Sequence, residues 1–169
     1  MSRRTTTSQV VASLAGALVG AVTFLAVLFD GRFDLTRTAM APRYFSNFYD
    51  LQARAFLVGR LDVPTGTLGI EGFVVDDRTY TYFAPLPAVL RMPVLAVTDR
   101  LDGRLTLLSM VLAWTIFAAA TVALVWAVRR FFRGDEPVAK TEGILAGIFI
   151  AAATGGTTLT YDAGLPWVY

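Results

Sequence analysis

Long stretches without a charged residue constrain this chain more than any other feature. The first runs from Thr5 to Phe29, and its apolar part, residues 10–29, can cross the ~30 Å hydrocarbon core of a bilayer as a helix rising about 1.5 Å per residue. A second stretch covers residues 105–128, and a third, richer in Thr and Gly, covers residues 143–161. The sequence therefore predicts a mainly α-helical membrane protein with about three transmembrane helices.

The first apolar stretch has a competing interpretation as a signal peptide, because Arg3 and Arg4 precede it. Signal peptides have an apolar region of roughly 7 to 15 residues and a small-residue cleavage site. The stretch here is longer, and no Ala-x-Ala site ends it. We therefore predict a short N-terminal segment, residues 1–8, followed by a retained transmembrane helix, residues 9–29.

Basic residues are dense at two places outside the apolar stretches. They are Arg3 and Arg4 near the start and Arg129, Arg130, Arg133 and Lys140 in the connection 129–142. Short loops rich in Lys and Arg stay in the cytoplasm. We therefore predict a multi-pass protein of the cell membrane with a cytoplasmic N-terminus, a cytoplasmic connection 129–142, and residues 30–104 and 162–169 outside. A lipid-phosphate site is the secondary interpretation of Arg129, Arg130 and Arg133.

Aromatic residues accompany the second basic cluster. Trp126, Phe131 and Phe132 lie where the second apolar stretch gives way to charge. Trp and Tyr belts mark membrane interfaces, and we predict that these three side chains form such a belt.

Small residues form one face of the first apolar stretch, where Gly16 and Gly20 are accompanied by Ser13 and Ala17. Such faces allow close approach of another helix. We predict packing against a helix of the same chain, and a dimer interface is the alternative.

The composition excludes several functional classes. The chain has no Cys and no His, which excludes disulfides, thiolate and imidazole chemistry and the usual zinc sites. The net charge is only +2, and Arg residues alternate with acids, so nucleic-acid binding is not expected. No metal ligands are assigned, and a divalent cation is left open as a cofactor.

The outer loop, residues 30–104, contains no linker-like run and has aromatic residues throughout, so we predict that it is folded. Apolar residues at roughly helical spacing are Phe48, Leu51, Ala55 and Val58. With Asn47 as N-cap, they predict an amphipathic helix, residues 48–58, lying along the membrane surface. Asn47, Asp50 and Arg54 are expected to share its polar face.

Two further elements are predicted in this loop. Residues 69–83 carry β-forming residues on both sides of a polar turn at Asp76, Asp77 and Arg78, which indicates a β-hairpin. Turn chemistry accounts for both aspartates, and a metal site is the less favoured interpretation. Residues 86–98 are apolar but short and rich in proline, which favours a surface or partly re-entrant helix over a span.

Residues 47–93 carry a resemblance that covers about a third of the chain. The resembling residues are Tyr49-Asp50-x-Gln52-Ala53-x-Ala55, then Gly59-Arg60-Leu61, then Thr79-Tyr80-x-Tyr82-Phe83-Ala84-Pro85-Leu86-Pro87-Ala88-x-Leu90-x-x-Pro93. They resemble bacterial membrane glycosyltransferases of the GT-C superfamily, of actinobacterial type and related to protein O-mannosyltransferases.

The resemblance implies sugar transfer at the outer face from a polyprenyl-phosphate donor. It implies Asp50 as the catalytic acid, since a carboxylate there can take a proton from an acceptor hydroxyl or hold a metal. Arg54 or Arg60 is implied to bind the donor phosphate, which a guanidinium matches in geometry. Many relatives keep a paired acid directly after the first span, whereas this chain has Asp30 and Asp34 separated by three residues. These two aspartates are the alternative acids.

GT-C enzymes have many more spans than three. The resemblance therefore implies that the chain is the amino-terminal part of a longer protein. The expected partners are the bilayer, the lipid-linked sugar, and further transmembrane helices of the same protein or of a partner subunit. Three spans cannot wall a lipid-donor cavity, so no turnover is expected from this chain alone.

Two less specific interpretations remain beside the enzyme. Asp50 can be an acid of the first helical turn that offsets the helix dipole and pairs with Arg54, which contributes ~0.5 kcal/mol. The chain can also be a small non-catalytic membrane subunit that packs against a partner, or an inactive fragment.

Overall fold

The computed structural model describes residues 7–29, 31, 47–68 and 72–156. In chain order the elements are α1 Thr7–Leu28, α2 Phe48–Leu57, β1 Phe73–Val75, β2 Arg78–Tyr80, α3 Leu86–Leu95, α4 Leu105–Arg133 and α5 Lys140–Gly155. The described part of the chain is thus mainly helical and contains the predicted hairpin.

Helices α1 and α4 are the two helices in the described residues that are long and apolar enough to cross a bilayer. Their most apolar stretches have mean hydropathies of 2.3 and 2.2, and only 22% and 11% of these stretches are buried inside the protein. Helix α3 is apolar but has only 10 residues, which is too short for a span. Helix α5 is described over 16 residues, and the predicted third span, residues 143–161, continues beyond the described part.

The described residues divide into two compact units. The helical unit contains residues 7–31 and 111–156, and the loop unit contains residues 47–110. Helix α4 therefore contributes its first residues to the loop unit and the remainder to the helical unit.

In the helical unit, α1 and α5 pack along their small residues. A Cβ added to Gly20 would lie 1.9 Å from Thr154 Oγ1, and one added to Gly16 would lie 2.5 Å from the carbonyl oxygen of Gly147. Only glycine allows this approach, because any side chain would meet the opposite helix. The face around Gly16 and Gly20 thus packs within the chain, as predicted.

The direction of α1 and α5 follows from which residues meet. Gly143, near the start of α5, lies against Ser8, near the start of α1, and Gly155 lies against Thr23, near the end of α1. The two helices therefore run parallel.

Helix α4 joins this pair through its indoles. Trp126 Nε1 donates a 2.8 Å hydrogen bond to Ser13 Oγ, and Trp114 Nε1 donates a 2.9 Å bond to the carbonyl oxygen of Thr154. The prediction of a three-residue aromatic belt is wrong for Trp126, which is 6% exposed. Its N–H finds a partner on α1, whereas Phe131 and Phe132 are exposed.

Helix α4 extends five residues past the predicted end of its span and stops at Arg133. Charged residues end a hydrocarbon crossing but not a helix, and arginines in a last turn interact favourably with the helix dipole. The helix stops at Gly134, which has φ +58° and donates its N–H to the Arg130 carbonyl. A glycine in this left-handed conformation is a common helix end.

In the loop unit, α2 packs against α3. The buried apolar residues at this contact are Ala53, Ala88, Leu95 and Leu105, with Tyr49, Phe56, Met92 and Leu101 packed around them. A second cluster consists of Phe48, Val63 and Leu68, with Tyr49 and Phe83 beside it. Tyr49 contacts both clusters, so α2 connects the two apolar clusters of the loop unit.

The hairpin pairs β1 and β2 in antiparallel register, with Val75 opposite Arg78. The two turn residues, Asp76 and Asp77, have φ values of 49° and 60°. A type I′ turn, one of the two common two-residue hairpin turns, requires positive φ at both positions, and Asp tolerates it better than most residues do. These aspartates therefore serve the turn. Residues 69–71 of the predicted hairpin lie outside the described part.

Candidate functional site

Asp50 is buried although it lies in the first turn of a short helix. Its side chain is 3% exposed, and its Oδ1 accepts a 2.7 Å hydrogen bond from Nη1 of Arg91, whose side chain is 9% exposed. Its Oδ2 accepts a 2.8 Å hydrogen bond from the backbone N–H of Gly103. The backbone N–H of Leu105 is a further donor to this carboxylate.

This arrangement places Asp50 at the start of α4. Leu105 is the first residue of α4, and the first N–H groups of a helix have no partner within the helix. A carboxylate there satisfies such a group and interacts favourably with the positive end of the helix dipole. Asp50 thus joins its own helix α2 to α3, through Arg91, and to the beginning of α4.

Arg91 is held by more than Asp50. Its Nη1 also donates to Thr106 Oγ1 at 3.2 Å, and its guanidinium carbon lies 5.2 Å from the centre of the Tyr49 ring. Arg91 is the single charge in the apolar stretch around α3. Sequence reasoning assigned it no role, although a lone charge in an apolar stretch is a signal that it needs a buried partner.

Burial raises the pKa of the Asp50 carboxyl above its ordinary value of 3.8, because desolvation disfavours the charged form. The charge and hydrogen bond of Arg91 and the N–H groups of Gly103 and Leu105 oppose this rise. The ionised state of Asp50 therefore depends on these donors. Both carboxylate oxygens accept hydrogen bonds from groups inside the protein. Neither oxygen of Asp50 therefore faces an open site.

The predicted pairing of Asp50 with Arg54 is wrong. Arg54 instead donates to Asp99 Oδ1 at 2.5 Å and to Asp102 Oδ1 at 2.9 Å, and to the carbonyl oxygens of Leu95 and Thr98. Asp50 and Arg54 are four positions apart on the helix, but Asp50 faces the core while Arg54 reaches the end of α3. A guanidinium can serve several acceptors at once, and here it fixes the turn that follows α3.

Asn47 lies at the predicted N-cap position, but its side chain makes no capping hydrogen bond. The expected polar face of α2 is not a common exposed surface either, because Asp50 on this helix is buried.

Arg60 pairs with the next acid along the chain. Its guanidinium forms an ion pair with Asp62, and the hydrogen bond from Arg60 holds the pKa of Asp62 below its ordinary value. The two residues line a polar pocket of about 360 Å³. Its other lining residues are Val63, Pro64, Thr65, Asp77, Arg78 and Thr79. The pocket places Arg60 near a second arginine, Arg78, which sequence reasoning did not select.

The alternative acids Asp30 and Asp34 lie outside the described residues. Within the ranges that the structure describes, no three acidic side chains come together as a metal site. The structure thus brings Asp50 together with Arg91, and it separates Arg54 and Arg60 into two different ion-pair networks.

Comparisons with protein-family models, curated proteins and solved structures return no match for this chain.

Proposed function

We propose that the chain is a multi-pass membrane protein in which α1, α4 and α5 cross the bilayer. The outward-facing apolar surfaces of α1 and α4 support this proposal, because water would disfavour them. The parallel direction of α1 and α5 supports it too, since two parallel crossings require one return crossing between them, which α4 supplies. The basic residues at the connection of α4 and α5 support a cytoplasmic connection and a loop unit on the outer side.

The outer surface of α3 supports contact of the loop unit with the membrane surface. Residues Ala88, Arg91 and Leu95 face inward and are buried. The exposed apolar residues of α3 and its following turn are Leu86, Val89, Leu90, Val94 and Val97. A short helix with an apolar outer side and a fixed inner side suits the interface between lipid and water.

Within this topology, we propose that the loop unit belongs to a glycosyltransferase that uses a polyprenyl-phosphate sugar at the outer face. One observation carries the proposal. The segments that resemble GT-C enzymes, around Asp50 and around α3, meet in one buried ion pair at the start of a long apolar helix. Further transmembrane helices would complete the donor cavity.

In this proposal Asp50 is a positioning residue. Its two oxygens are used by Arg91 and by the start of α4, so it orients the loop unit and does not meet the acceptor. The proton-accepting role then passes to Asp30 or Asp34, which follow the first span in the sequence. Arg60 has a side chain that is 57% exposed. It is the arginine best placed to release the carboxylate of Asp62 and bind a donor phosphate instead.

A non-catalytic membrane subunit is the second candidate. The specific observation in its favour is that Asp50, Arg54 and Arg60 each have carboxylate or guanidinium partners within the chain. Charged side chains that are all paired within the chain suit a rigid unit that another protein contacts.

Cysteine labelling tests the topology, because the chain has no native Cys. Thr65→Cys lies in the loop unit and Asp135→Cys lies between α4 and α5, and both positions are exposed. In intact cells, a membrane-impermeant maleimide should label Thr65→Cys at once and Asp135→Cys only after permeabilisation. The reverse pattern would overturn the orientation, and equal labelling of both would show that α4 does not cross.

A transfer assay tests the enzyme, using the protein as its gene encodes it and a panel of radiolabelled polyprenyl-phosphate hexoses. Asp50→Asn alone leaves the guanidinium of Arg91 buried without its counter-charge, so the informative variant is Asp50→Asn with Arg91→Met. If Asp50 acts only through the structure of the loop unit, this double variant, which leaves no unpaired buried charge, transfers sugar at a rate near that of the wild type. Asp34→Asn or Asp30→Asn then loses about 10²-fold or more. Inactivity of the double variant at normal membrane level would return the catalytic role to Asp50. Absence of transfer by the wild-type protein from every donor would favour the subunit.

A further inference from the structure

A long groove lies on the outer side of the α1 and α5 pair. Its volume is about 740 Å³, within the range of ligand pockets in proteins, roughly 300 to 1,000 Å³. Helix α4 contacts α1 through Ser13 and Phe24, which lie on the opposite side of α1 from the groove residues Val11 and Ala15. The groove is therefore not covered by α4.

The groove has a floor of small residues and walls of branched ones. The floor is formed by Ala12, Gly16, Gly143 and Gly147. The walls are formed by Val11, Val19, Ile144 and Ile148, which are 55% to 61% exposed. The shape arises because the glycines that let the helices touch also leave no side chain to fill the space above the contact.

One end of the groove is polar. Thr7, Ser8 and Lys140 line it where both helices begin. The nearest acid on α5, Glu142, is engaged by Arg129 and Arg133, and no acidic side chain in the described ranges pairs with Lys140. The groove thus combines an apolar channel with a cation and two hydroxyl groups at a single end.

We propose that this groove binds one anionic phospholipid of the cytoplasmic leaflet, with an acyl chain along the floor and the phosphate at Lys140. The proposal rests on the membrane topology proposed above, which places the starts of α1 and α5 on the cytoplasmic side. Charge complementarity selects this occupant. A lipid phosphate requires a cation and hydroxyl donors at the depth of the headgroups and only apolar contacts below, and the lining residues follow this order from Lys140 to Ala151.

A second helix is the competing occupant of a surface made of small residues. Helices that pack on such surfaces are apolar over the whole contact or hydrogen-bond across it. A packed helix would cover Lys140, and a lysine buried without an acid is unfavourable. The exposed lysine at the end of the groove therefore favours a lipid headgroup.

Lipid selectivity tests the proposal. The full chain would be reconstituted in phosphatidylcholine vesicles, and the motionally restricted fraction of spin-labelled phosphatidylglycerol would be compared with that of spin-labelled phosphatidylcholine. We expect phosphatidylglycerol to associate about fivefold more strongly than phosphatidylcholine, as one basic residue near a membrane surface provides. Lys140→Gln should abolish this preference. The matched control is Arg130→Gln, which removes an exposed cation outside the groove and should retain it.

Filling the groove separates the acyl-chain site from general surface charge. Ala15→Leu places a larger side chain in the groove, and the control Ala152→Leu makes the same change at an exposed position outside it. Ala15→Leu should lower the number of restricted lipids, and Ala152→Leu should not. Equal selectivity in the wild type and Lys140→Gln would overturn the proposal. A dimer in the wild type that Ala15→Leu dissociates would assign the groove to a second copy.

The membrane topology would fail in a different way. Protein that alkaline carbonate extracts from membranes would disprove the topology, whereas protein that stays integrated but shows no lipid preference would disprove the groove site alone.

Discussion

Asp50 and Arg91 are 41 positions apart in the chain and form a buried hydrogen-bonded ion pair of 2.7 Å. The pair joins two short helices beside their apolar contact, and it meets the first turn of α4. Buried ion pairs gain little over apolar residues of the same shape, but removal of one partner leaves an unbalanced charge. The pair therefore makes the arrangement of α2, α3 and α4 specific.

Loss of Arg91 should destabilise the loop unit. We expect Arg91→Met to lower the free energy of unfolding at pH 7 by about 3 kcal/mol, because the Asp50 carboxylate loses its counter-charge inside the protein. Addition of Asp50→Asn should recover much of this loss by removing the buried charge. Unfolding by denaturant in mixed micelles measures both effects. Arg100→Met, at an exposed position, is the control and should change stability by no more than about 0.5 kcal/mol. A double variant no more stable than Arg91→Met would show that the charge is not the cause.

The cost of losing Arg91 should depend on pH. Burial already raises the pKa of Asp50 above 3.8, and Arg91 opposes this rise, so Arg91→Met raises the pKa further. Between the ordinary value and this raised value, the native state keeps a proton that the unfolded chain has lost, and stability falls as pH rises. The difference in melting temperature between the wild type and Arg91→Met should therefore be small near pH 4 and larger at pH 7. A difference that is constant over this range would contradict the assignment.

Arg54 should control the order of the turn after α3. It donates to the carbonyl oxygens of Leu95 and Thr98 and to the carboxylates of Asp99 and Asp102. Arg54→Lys keeps the charge but loses the planar fork that serves these acceptors together. We expect amide hydrogen exchange of residues 98–104 to become several-fold faster. Arg60→Lys, which alters an ion pair elsewhere in the loop unit, should leave the exchange of these residues unchanged, and a similar increase in both variants would argue against a local effect.

The contact of α1 with α5 should tolerate no side chain at Gly20. A Cβ there would lie 1.9 Å from Thr154 Oγ1, and overpacking of this kind costs about 1 to 3 kcal/mol or more. A disulfide reports on the contact, because a Cβ at Gly143 would lie 3.6 Å from the Cβ of Ser8, which suits a disulfide.

Ser8→Cys with Gly143→Cys should therefore form a disulfide on mild oxidation. Adding Gly20→Leu should prevent it, whereas the control Val22→Leu, which places the same side chain on an exposed surface, should not. Efficient cross-linking in the presence of Gly20→Leu would mean that the helices do not pack through this glycine.

Several elements could be predicted from the sequence because their causes are local. The apolar runs of α1 and α4 are a property of consecutive residues, and the turn at Asp76 and Asp77 follows from β-forming residues on both sides of a polar pair. The start of α2 at Phe48 was predicted from helical spacing. The end of α4 at Arg133 does not follow from the charge pattern, because charged residues end a membrane crossing, whereas Gly134 ends the helix.

The candidate site shows where local reasoning stops. Asp50 and Arg54 are four positions apart, a spacing that brings side chains together on an isolated helix. In the protein, burial of α2 turns Asp50 toward α3 and the start of α4, and Arg54 meets the acceptors at the end of α3. The Trp126 indole is likewise buried and not part of an exposed aromatic belt, because its N–H donates a hydrogen bond to Ser13 on α1.

The sequence by itself determined which segments are apolar helices, where the hairpin turns and which ligand chemistries the absence of Cys and His excludes. Only the tertiary structure decided which charges pair and which small residues meet. The reason is physical: hydropathy and backbone preference act over neighbouring residues, whereas a buried charge takes the partner that packing brings to it. The buried carboxylate of Asp50 is stabilised by a cation, and the packing of α3 against α2 brings Arg91 next to it.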